Sequence, residues 1–476
     1  MPTEFLHGLY DGGHGAGLKD YWDMMMANPR CAGGFLWDLM DQGVVRTDKN
    51  NYVDCMGNFG ADGIVGPHAE KEGSYYTIKE VWCPVQLTWN DVEKGELTLS
   101  NQYNFVNLKD CRFSYRLLQM PAMGSTQVKV LKQGNLSSPD VAPGKEAQVK
   151  IPMMANADAV EIKAVNHEGE EIMTWSRGVK SEERRVKNSS APSTSSAAYA
   201  DQADAVEVKA GGRTYRFAKK DGRLMGVEVG SKAISLSNGP RFMAARRSDR
   251  SLDQFYNHDD KEAEKKKTLY TEFVDQGAFA GFEWKEAEAK LVATYQHGSL
   301  DEVDWQFLSD GSVAVTCHYN FGGVVDMMGM AFDYPESKVR SKAWVGNGPY
   351  RVWQNREQGP QYGYWQNDYN DPIPAESWDY PEFKGYFANV KWMQFKTDEG
   401  KIGFSGLTAD EHMGVYTPRD GRDGLLYTLP QTGLAVFKVI PSVRNKVNTT
   451  DLNGPSALPK WLNGKGKTVF TLNFEL

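Results

Sequence analysis

The chain has 476 residues, of which 40% are hydrophobic, 24% charged and 12% aromatic, and its formal net charge is −8. This length suits about three globular domains. Because the excess charge is negative and no basic stripe occurs, we expect no nucleic-acid partner. Because no stretch approaches the ~20 apolar residues that span a bilayer, we expect no membrane partner either.

The cysteines, the histidines and the amino-terminal residues argue against a disulfide framework, a zinc site and a signal peptide. The five cysteines are scattered without a CxxC pair, so we expect reduced, mostly buried thiols and neither a disulfide framework nor a zinc site. The eight histidines show no HExxH spacing. No apolar segment follows Met1, so no signal peptide is expected, and the compartment stays open between cytoplasm and periplasm.

Residues 1–90 predict an α/β region. An amphipathic helix is predicted over Gly17–Ala27, and Asn28-Pro29 ends it. The run from Gly33 to Gln42 then predicts a fully buried strand over 35–40 whose carboxyl end opens into a polar site. A strand, a helix and a further strand form one βα unit of a parallel sheet or barrel.

One βα unit cannot close a barrel, which needs eight units and ~250 residues. The first residues of the sequence are already strand-like, since Pro2-Thr3-Glu4-Phe5-Leu6-His7 is a short apolar segment with one charged residue inside it. We therefore expect the sequence to start inside a domain, whose remainder is either missing or a separate polypeptide.

From residue 91 the hydrophobic period changes to two. Leu97 and Leu99 alternate with polar neighbours, as do Phe113, Tyr115 and Leu117. Short strands with Gly and Pro turns predict a small β-sandwich over 91–178. A charged run and a Ser/Ala-rich stretch then predict a linker over 179–204.

Residues 205–476 predict one large β-sandwich. Alternating residues from Trp305 to Phe307 and from Val313 to Cys317 flank the turn Asp310-Gly311, which predicts a hairpin. The aromatic-rich segment 344–386 predicts long loops. Four of its aromatic residues are interpreted either as the rim of an assembled active site or as packing residues, namely Trp365, Trp378, Tyr380 and Tyr386.

The sequence resembles the carboxy-terminal portion of the β-galactosidases of glycoside hydrolase family two. Residues 2–13 and 32–43 (PTEFLHGLYDGG and AGGFLWDLMDQG) resemble the last strands of the catalytic (β/α)8 barrel, and residues 61–82 are similar to the next stretch of that family. Segments 101–105 and 110–113 resemble the immunoglobulin-like domain behind the barrel. Gly346-Asn347-Gly348-Pro349-Tyr350 with Arg356 resembles the small-chain sandwich, which is galactose-mutarotase-like in fold.

The resemblance implies retaining hydrolysis of terminal non-reducing β-D-galactose. Such a mechanism uses two carboxyl groups ~5 Å apart, one as nucleophile and one as acid/base. By motif, Glu4 corresponds to the family nucleophile and His7 to the histidine that touches sugar hydroxyls. Trp37 corresponds to the tryptophan at the floor of the sugar subsite. The implied substrate is a β-galactoside.

The sequence departs from this family where the proton donor should be. The family acid/base lies in an Asn-Glu dipeptide upstream of the nucleophile, and this sequence contains no Asn-Glu pair. The family magnesium and sodium sites also lie mostly upstream, so no cofactor is expected in this chain, and Asn58 and Phe59 are not carried over as ligands. His297 and His318 lie in or beside hairpin strands, which favours a structural role over mutarotase-type acid–base chemistry.

The sequence leaves three interpretations of the function. The chain is a carboxy-terminal portion of a β-galactosidase, expected to be inactive alone. As alternatives it is a non-catalytic subunit that complements an amino-terminal polypeptide, or a carbohydrate-binding protein that uses the sandwich aromatics. Homo-oligomerisation is left open by the sequence.

Overall fold

The structure is a computed structural model that describes residues 1–8, 14–55, 60–179, 197–247, 268–272, 277–369, 385–416, 427–428, 430, 432–446 and 452–476. Most of these residues lie in β-sheets, which confirms the expected mainly β, multidomain class. No helix among them has the length and apolarity needed to cross a membrane. All five cysteines are free, and only Cys31 of the five is exposed, as predicted.

The amino-terminal region holds two short helices and no barrel among its described residues. The helices are Leu18–Met26 and Gly73–Val81, and a small hairpin joins Val44–Arg46 to Tyr52–Asp54. The predicted helix is therefore confirmed to within a residue at each end, although Leu18 alone of its apolar residues is fully buried. The predicted barrel end is not confirmed.

The predicted buried strand over 35–40 is wrong. Only isolated parallel bridges form, between Phe5 and Leu36 and between Met40 and Val65. Phe35 is 58% exposed and Leu39 is 68% exposed. A parallel strand becomes buried when helices cover the sheet, and the two helices described in this region are too few to cover it.

The small sandwich consists of two antiparallel sheets. One sheet is Val85–Asp91, Glu96–Asn101 and Glu146–Lys150, and the other, in spatial order, is Lys129–Leu136, Arg112–Gln119, Ala159–Val165 and Glu171–Gly178. The predicted alternation holds, because Leu97, Leu99, Phe113 and Leu117 are all buried in the shared core. Period-two burial on two facing sheets is how such a sandwich is stabilised.

The large sandwich begins with an eleven-stranded sheet. Residues 180–196 of the predicted linker lie outside the described residues, and its last part, Ala198–Asp201, is an edge strand of this sheet. The main path continues through Ala205–Ala210, Arg213–Ala218, Leu224–Val229, Ser237–Arg247, Met327–Asp333, Leu434–Val439 and His412–Val415. Three short strands attach beside it: Lys232–Ile234, Thr268–Glu272 and Tyr427–Thr428.

The facing sheet has nine strands. In spatial order they are Ala278–Lys285, Lys290–Gln296, Leu300–Phe307, Val313–Val325, Lys460–Glu475, Lys401–Ser405, Trp392–Thr397, Val339–Gly348 and Gln361–Asp368. The predicted hairpin is confirmed, since Trp305 pairs with Val315 and Phe307 with Val313. Both sheets contribute aromatic side chains, including Phe217 and Trp305, to one large core between them.

Loops of the large sandwich position the amino-terminal region. The backbone N–H of Gly17 donates to the carbonyl of Asn355 at 2.8 Å. The Asn355 side chain in turn bonds both backbone groups of Val443, at 2.9 Å each. These loops bring a carboxy-terminal segment against residues 1–8, and the candidate site forms at that contact.

Candidate active site

Three amino-terminal segments run side by side at the site. Phe5 N–H donates to Phe35 O at 3.1 Å, and Gly8 N–H donates to Trp37 O at 2.9 Å. Asp38 N–H then donates to Asp62 O at 2.9 Å, which adds the third segment. Because the segments are parallel, side chains from their carboxyl ends meet in one place.

His7 lies at the centre of this meeting point. It is 9% exposed, and its ring stacks on that of Trp37 with centroids 5.9 Å apart and planes inclined by 29°. Its Nδ1 lies 3.2 Å from the carbonyl oxygen of Gly8, so this nitrogen carries the proton. The structure thus brings together two of the three predicted site residues, His7 and Trp37.

The protonation state of His7 leaves its second nitrogen available. Burial lowers the pKa of His7 below its usual 6.5, although the Gly8 carbonyl and the charges of Asp62 and Glu4 oppose the shift. The imidazole is therefore neutral near pH 7, with Nε2 unprotonated. Asp62 Oδ2 lies 3.6 Å from His7 Nε2, which is longer than a hydrogen bond. Both atoms are acceptors, so neither donates to the other. Nε2 can therefore accept a hydrogen bond from a ligand hydroxyl.

Glu4, the third predicted residue, is exposed beside His7, and its charge acts on the His7 ring. Among the described residues its carboxylate forms no hydrogen bond and no ion pair.

Asp62 is held in place from the far end of the chain. It is 3% exposed, and its Oδ2 accepts from Lys446 Nζ at 2.9 Å. The backbone N–H of Lys446 also donates to the carbonyl of His7 at 2.9 Å. Lys446 thus fixes both the Asp62 carboxylate and the backbone of His7.

Several buried polar atoms at the site have no hydrogen-bond partner within the described part of the chain. Asp38 Oδ1, Asp62 Oδ1 and His14 Nδ1 are each buried without a hydrogen bond among the described residues. Burial also raises the pKa of Asp38, opposed by the hydrogen bond from Gln42 at 3.3 Å. Each such atom costs roughly 1–3 kcal/mol unless water or a ligand bonds it.

His14 supports the site by bonding the backbone of Trp37. It is fully buried, and its Nε2 donates to the carbonyl of Trp37 at 2.8 Å. Burial lowers its pKa to about 3, so it stays neutral. A Cβ on Gly8 would lie 1.8 Å from His14 Cε1, so only glycine fits at this position.

Comparison with known proteins assigns the family. Residues 209–436 match the family model for the β-galactosidase small chain, and residues 97–175 match the model for β-galactosidase domain 4. A β-galactosidase of Oenococcus oeni is 19% identical to this chain over 96% of it. The chain belongs to the β-galactosidase family.

The chain corresponds to a carboxy-terminal portion of the proteins of this family. The family consists of glycoside hydrolases. The chain spans 47% of the length of the Oenococcus relative. A β-galactosidase of Pectobacterium atrosepticum is 29% identical over 21% of this chain and 11% of its own length. Among solved structures, a galactose 1-epimerase of Lactobacillus acidophilus covers 59% of this chain and 98% of its own, at 8% identity and a TM-score of 0.33.

Two of the four aromatic residues interpreted as rim or packing residues, Trp365 and Tyr386, lie in packed surroundings. Trp365 Nε1 donates to the carbonyl of Gly346 at 3.1 Å within the nine-stranded sheet. Tyr386 is 8% exposed and packs edge-on against Phe437. Both therefore serve packing, while Trp378 and Tyr380 lie outside the described residues, as do Asn58 and Phe59.

One group among the described residues has the spacing to hold a metal ion. Ligand atoms of Glu302, Asp304 and His318 lie within 4.8 Å of one another on the large sandwich. Lys290 Nζ already lies 3.6 Å from Asp304 and competes for its charge. This group lies on the nine-stranded sheet, whereas Glu4 lies in the amino-terminal region outside the sheets, so the group is separate from the candidate site.

Sequence reasoning missed His14, Asp62 and Lys446. Asp62 stood in a segment that resembled the β-galactosidases, but no role was carried over to it. His14 follows two glycines and has no motif of its own. Lys446 is 384 residues from Asp62, and no local signal could have joined them.

Proposed function

We propose that this chain supplies the nucleophile-bearing part of a retaining β-galactosidase. Glu4 is the nucleophile, and His7 and Trp37 hold the galactose ring. The second carboxyl group, which protonates the leaving oxygen and then activates water, comes from residues outside this sequence. The chain is therefore inactive alone and active once that carboxyl group is supplied.

The observation that carries this proposal is the set of buried atoms around His7 that have no hydrogen-bond partner among the described residues. Asp38 Oδ1 and Asp62 Oδ1 are acceptors only, while His7 Nε2 is a third acceptor. A sugar offers several hydroxyl donors on one rigid ring, which suits convergent acceptors better than an apolar or an anionic ligand does. The half-buried indole of Trp37 adds a flat apolar floor.

The proposed reaction proceeds by double displacement. A Glu4 carboxylate oxygen forms a bond to the anomeric carbon while the bond to the leaving oxygen breaks, and the outside carboxyl group gives its proton to that oxygen. Water then attacks the same carbon, its proton passes to the outside carboxylate, and Glu4 is released. The neutral imidazole of His7 orients a hydroxyl throughout and transfers no proton.

Exposed apolar side chains support the need for a further polypeptide. They concentrate between residues 24 and 52, where Met24 is 63% exposed and Val44 is 64% exposed. The others in this stretch are Met26, Phe35, Leu39, Met40, Val45 and Tyr52. An apolar surface of this kind is typical of an interface, and we propose that it receives the polypeptide that carries the second carboxyl group.

The test is a mixing experiment. The purified chain is assayed with a chromogenic β-galactoside alone and with the part of the Oenococcus oeni β-galactosidase that this chain does not span. Turnover only in the mixture, lost in Glu4→Gln and kept in the exposed control Glu168→Gln, is the expected result. Turnover by the chain alone would contradict the missing-carboxyl proposal. Galactose binding without turnover in any mixture would favour the carbohydrate-binding alternative.

A further inference from the structure

A cleft lies between the small and large sandwiches, and the residues that line it include none of Glu4, His7, Trp37 and Asp62. It has two lobes of ≈ 350 and ≈ 640 Å³, within the ~300–1,000 Å³ range of small-molecule sites. Both lobes are lined by Trp89 and Arg177 of the small sandwich and by Asn347 and Asn389 of the large one. Shared walls make the two lobes one continuous cleft.

The walls of the cleft are held rigidly against each other. Ser176 Oγ donates to the carbonyl of Tyr362 at 2.6 Å, and Ser176 N–H donates to Gln361 Oε1 at 2.7 Å. Nearby, Lys391 Nζ lies 3.2 Å from the Asp158 carboxylate. Because these bonds cross between the sandwiches, the cleft is preformed and a ligand need not order it.

Two asparagines, Asn347 and Asn389, line the cleft. Both residues line both lobes, and their side-chain amides form no hydrogen bond among the described residues. Their backbones are fixed, since Asn347 N–H donates to Ala388 O at 3.0 Å. Asn389 adopts a left-handed backbone with φ of 51°, which only a few non-glycine residues tolerate. Each amide offers both a donor and an acceptor at a fixed position.

An aromatic face lies beside these amides. Trp89 is half-buried, packed on one side against the small-sandwich core and open on the other to both lobes. An indole face next to fixed donors and acceptors presents a flat apolar surface with polar groups at its edge. This combination matches the two faces of a pyranose ring, which is apolar across its C–H bonds and polar at its rim.

The charges lining the cleft favour a neutral ligand. Cations and carboxylates are interspersed in similar numbers, namely Arg177, Lys391, Lys438 and Lys460 against Glu80, Asp91, Glu93, Glu357 and Asp410. Lys438 is already paired with Asp410 at 2.6 Å. Since neither sign dominates, the cleft creates no field that would select a phosphate or a carboxylate ligand.

We infer that this cleft binds a short neutral oligosaccharide, at a site separate from the one that contains Glu4. Trp89 stacks one sugar ring, and the amides of Asn347 and Asn389 bond its hydroxyls. The inference does not rest on the proposed function, because none of these residues takes part in it.

The test is titration calorimetry of the full chain with maltotriose and cellotriose, which contain no galactose. Glucose 6-phosphate serves as the charged comparison. We expect at least one trisaccharide to bind with a dissociation constant between micromolar and millimolar. Trp89→Ala and Asn389→Gly should each weaken binding by at least tenfold, and glycine suits the left-handed backbone at 389, so the second variant keeps the fold.

Two controls separate this site from its surroundings. Trp461, which is 69% exposed, is a tryptophan outside the cleft, and Trp461→Ala should bind as the parent chain does. His7→Ala should also leave trisaccharide binding unchanged while it weakens galactose binding at the candidate active site. The inference is overturned if neither trisaccharide binds, if glucose 6-phosphate binds in their place, or if Asn389→Gly binds as tightly as the parent.

Discussion

Lys446 and Asp62 form a buried ion pair at 2.9 Å across 384 residues of sequence. The Asp62 side chain is 4% exposed and that of Lys446 is 13% exposed. The pair therefore joins the amino-terminal segments to the end of the large sandwich in a low-dielectric setting, where loss of one partner is costly.

Lys446→Met should destabilise the contact between the amino-terminal region and the large sandwich by about 3–5 kcal/mol, because it leaves the Asp62 charge buried and unpaired. Thermal and urea unfolding of the parent chain and the variant measure this loss of stability. Asp62→Asn combined with Lys446→Met should recover most of the loss. Lys401→Met is the matched control, since the Lys401–Glu475 pair is 39% and 38% exposed and should contribute at most about 1 kcal/mol. Equal losses at 446 and 401 would show that the buried pair has no special role.

Acid should destabilise the folded chain partly through His14. Its pKa is lowered by burial to about 3, against 6.5 when it is unperturbed. Below pH 6.5 the unfolded chain therefore binds a proton that the folded chain does not, and stability falls by up to about 1.4 kcal/mol for each pH unit towards pH 3.

Other buried groups change stability in the opposite direction. Burial raises the pKa values of Glu80 and Glu411, so these carboxyl groups bind protons more readily in the folded chain and stabilise it as the pH falls. The contribution of His14 is therefore isolated by comparing variants. His14→Gln keeps a donor to Trp37 O but cannot titrate, so its stability should depend less steeply on pH between 6.5 and 4. His167→Gln, at an exposed histidine, should follow the parent curve. Parallel curves for His14→Gln and the parent would refute the assignment.

Gly8→Ala should displace His14, since the new Cβ would lie 1.8 Å from its ring. Forcing a methyl group into a packed site costs about 1–3 kcal/mol, and galactose binding should fall with it because His14 supports the backbone of Trp37. Melting temperature and calorimetry measure the two effects. Gly322→Ala is the matched control, where the nearest atom is 3.6 Å away. Unchanged galactose binding in Gly8→Ala would contradict the support role.

His7→Phe should preserve the stack on Trp37 while it removes the Nε2 acceptor. We expect kcat/KM of the complemented enzyme to fall roughly 10- to 100-fold, which corresponds to about 1.4–2.7 kcal/mol for one lost hydrogen bond in the transition state. The pH profile of the residual activity should keep the shape of the parent profile, because His7 transfers no proton. A changed profile would assign His7 an acid–base role.

Local patterns were sufficient for the sandwiches and insufficient for the amino-terminal region. Alternation at Leu97 and Leu99 predicted the small sandwich, because period-two burial is a property of one strand and its two faces. The prediction of a buried strand over 35–40 was wrong because a local pattern describes only the strand itself. Its apolar residues predicted burial, whereas burial depends on which elements cover them, and Phe35 is 58% exposed.

The sequence by itself determined the mainly β architecture and the hairpin at Asp310-Gly311, because short-range periodicity carries that information. The choice of Glu4, His7 and Trp37 as candidates came from the resemblance of their segments to the β-galactosidases. Only the tertiary structure decided that His7 is neutral and stacked on Trp37, that the His14 ring lies against Gly8, and that Lys446 bonds Asp62. These depend on desolvation and on contacts between distant segments, and both arise only when the chain has folded.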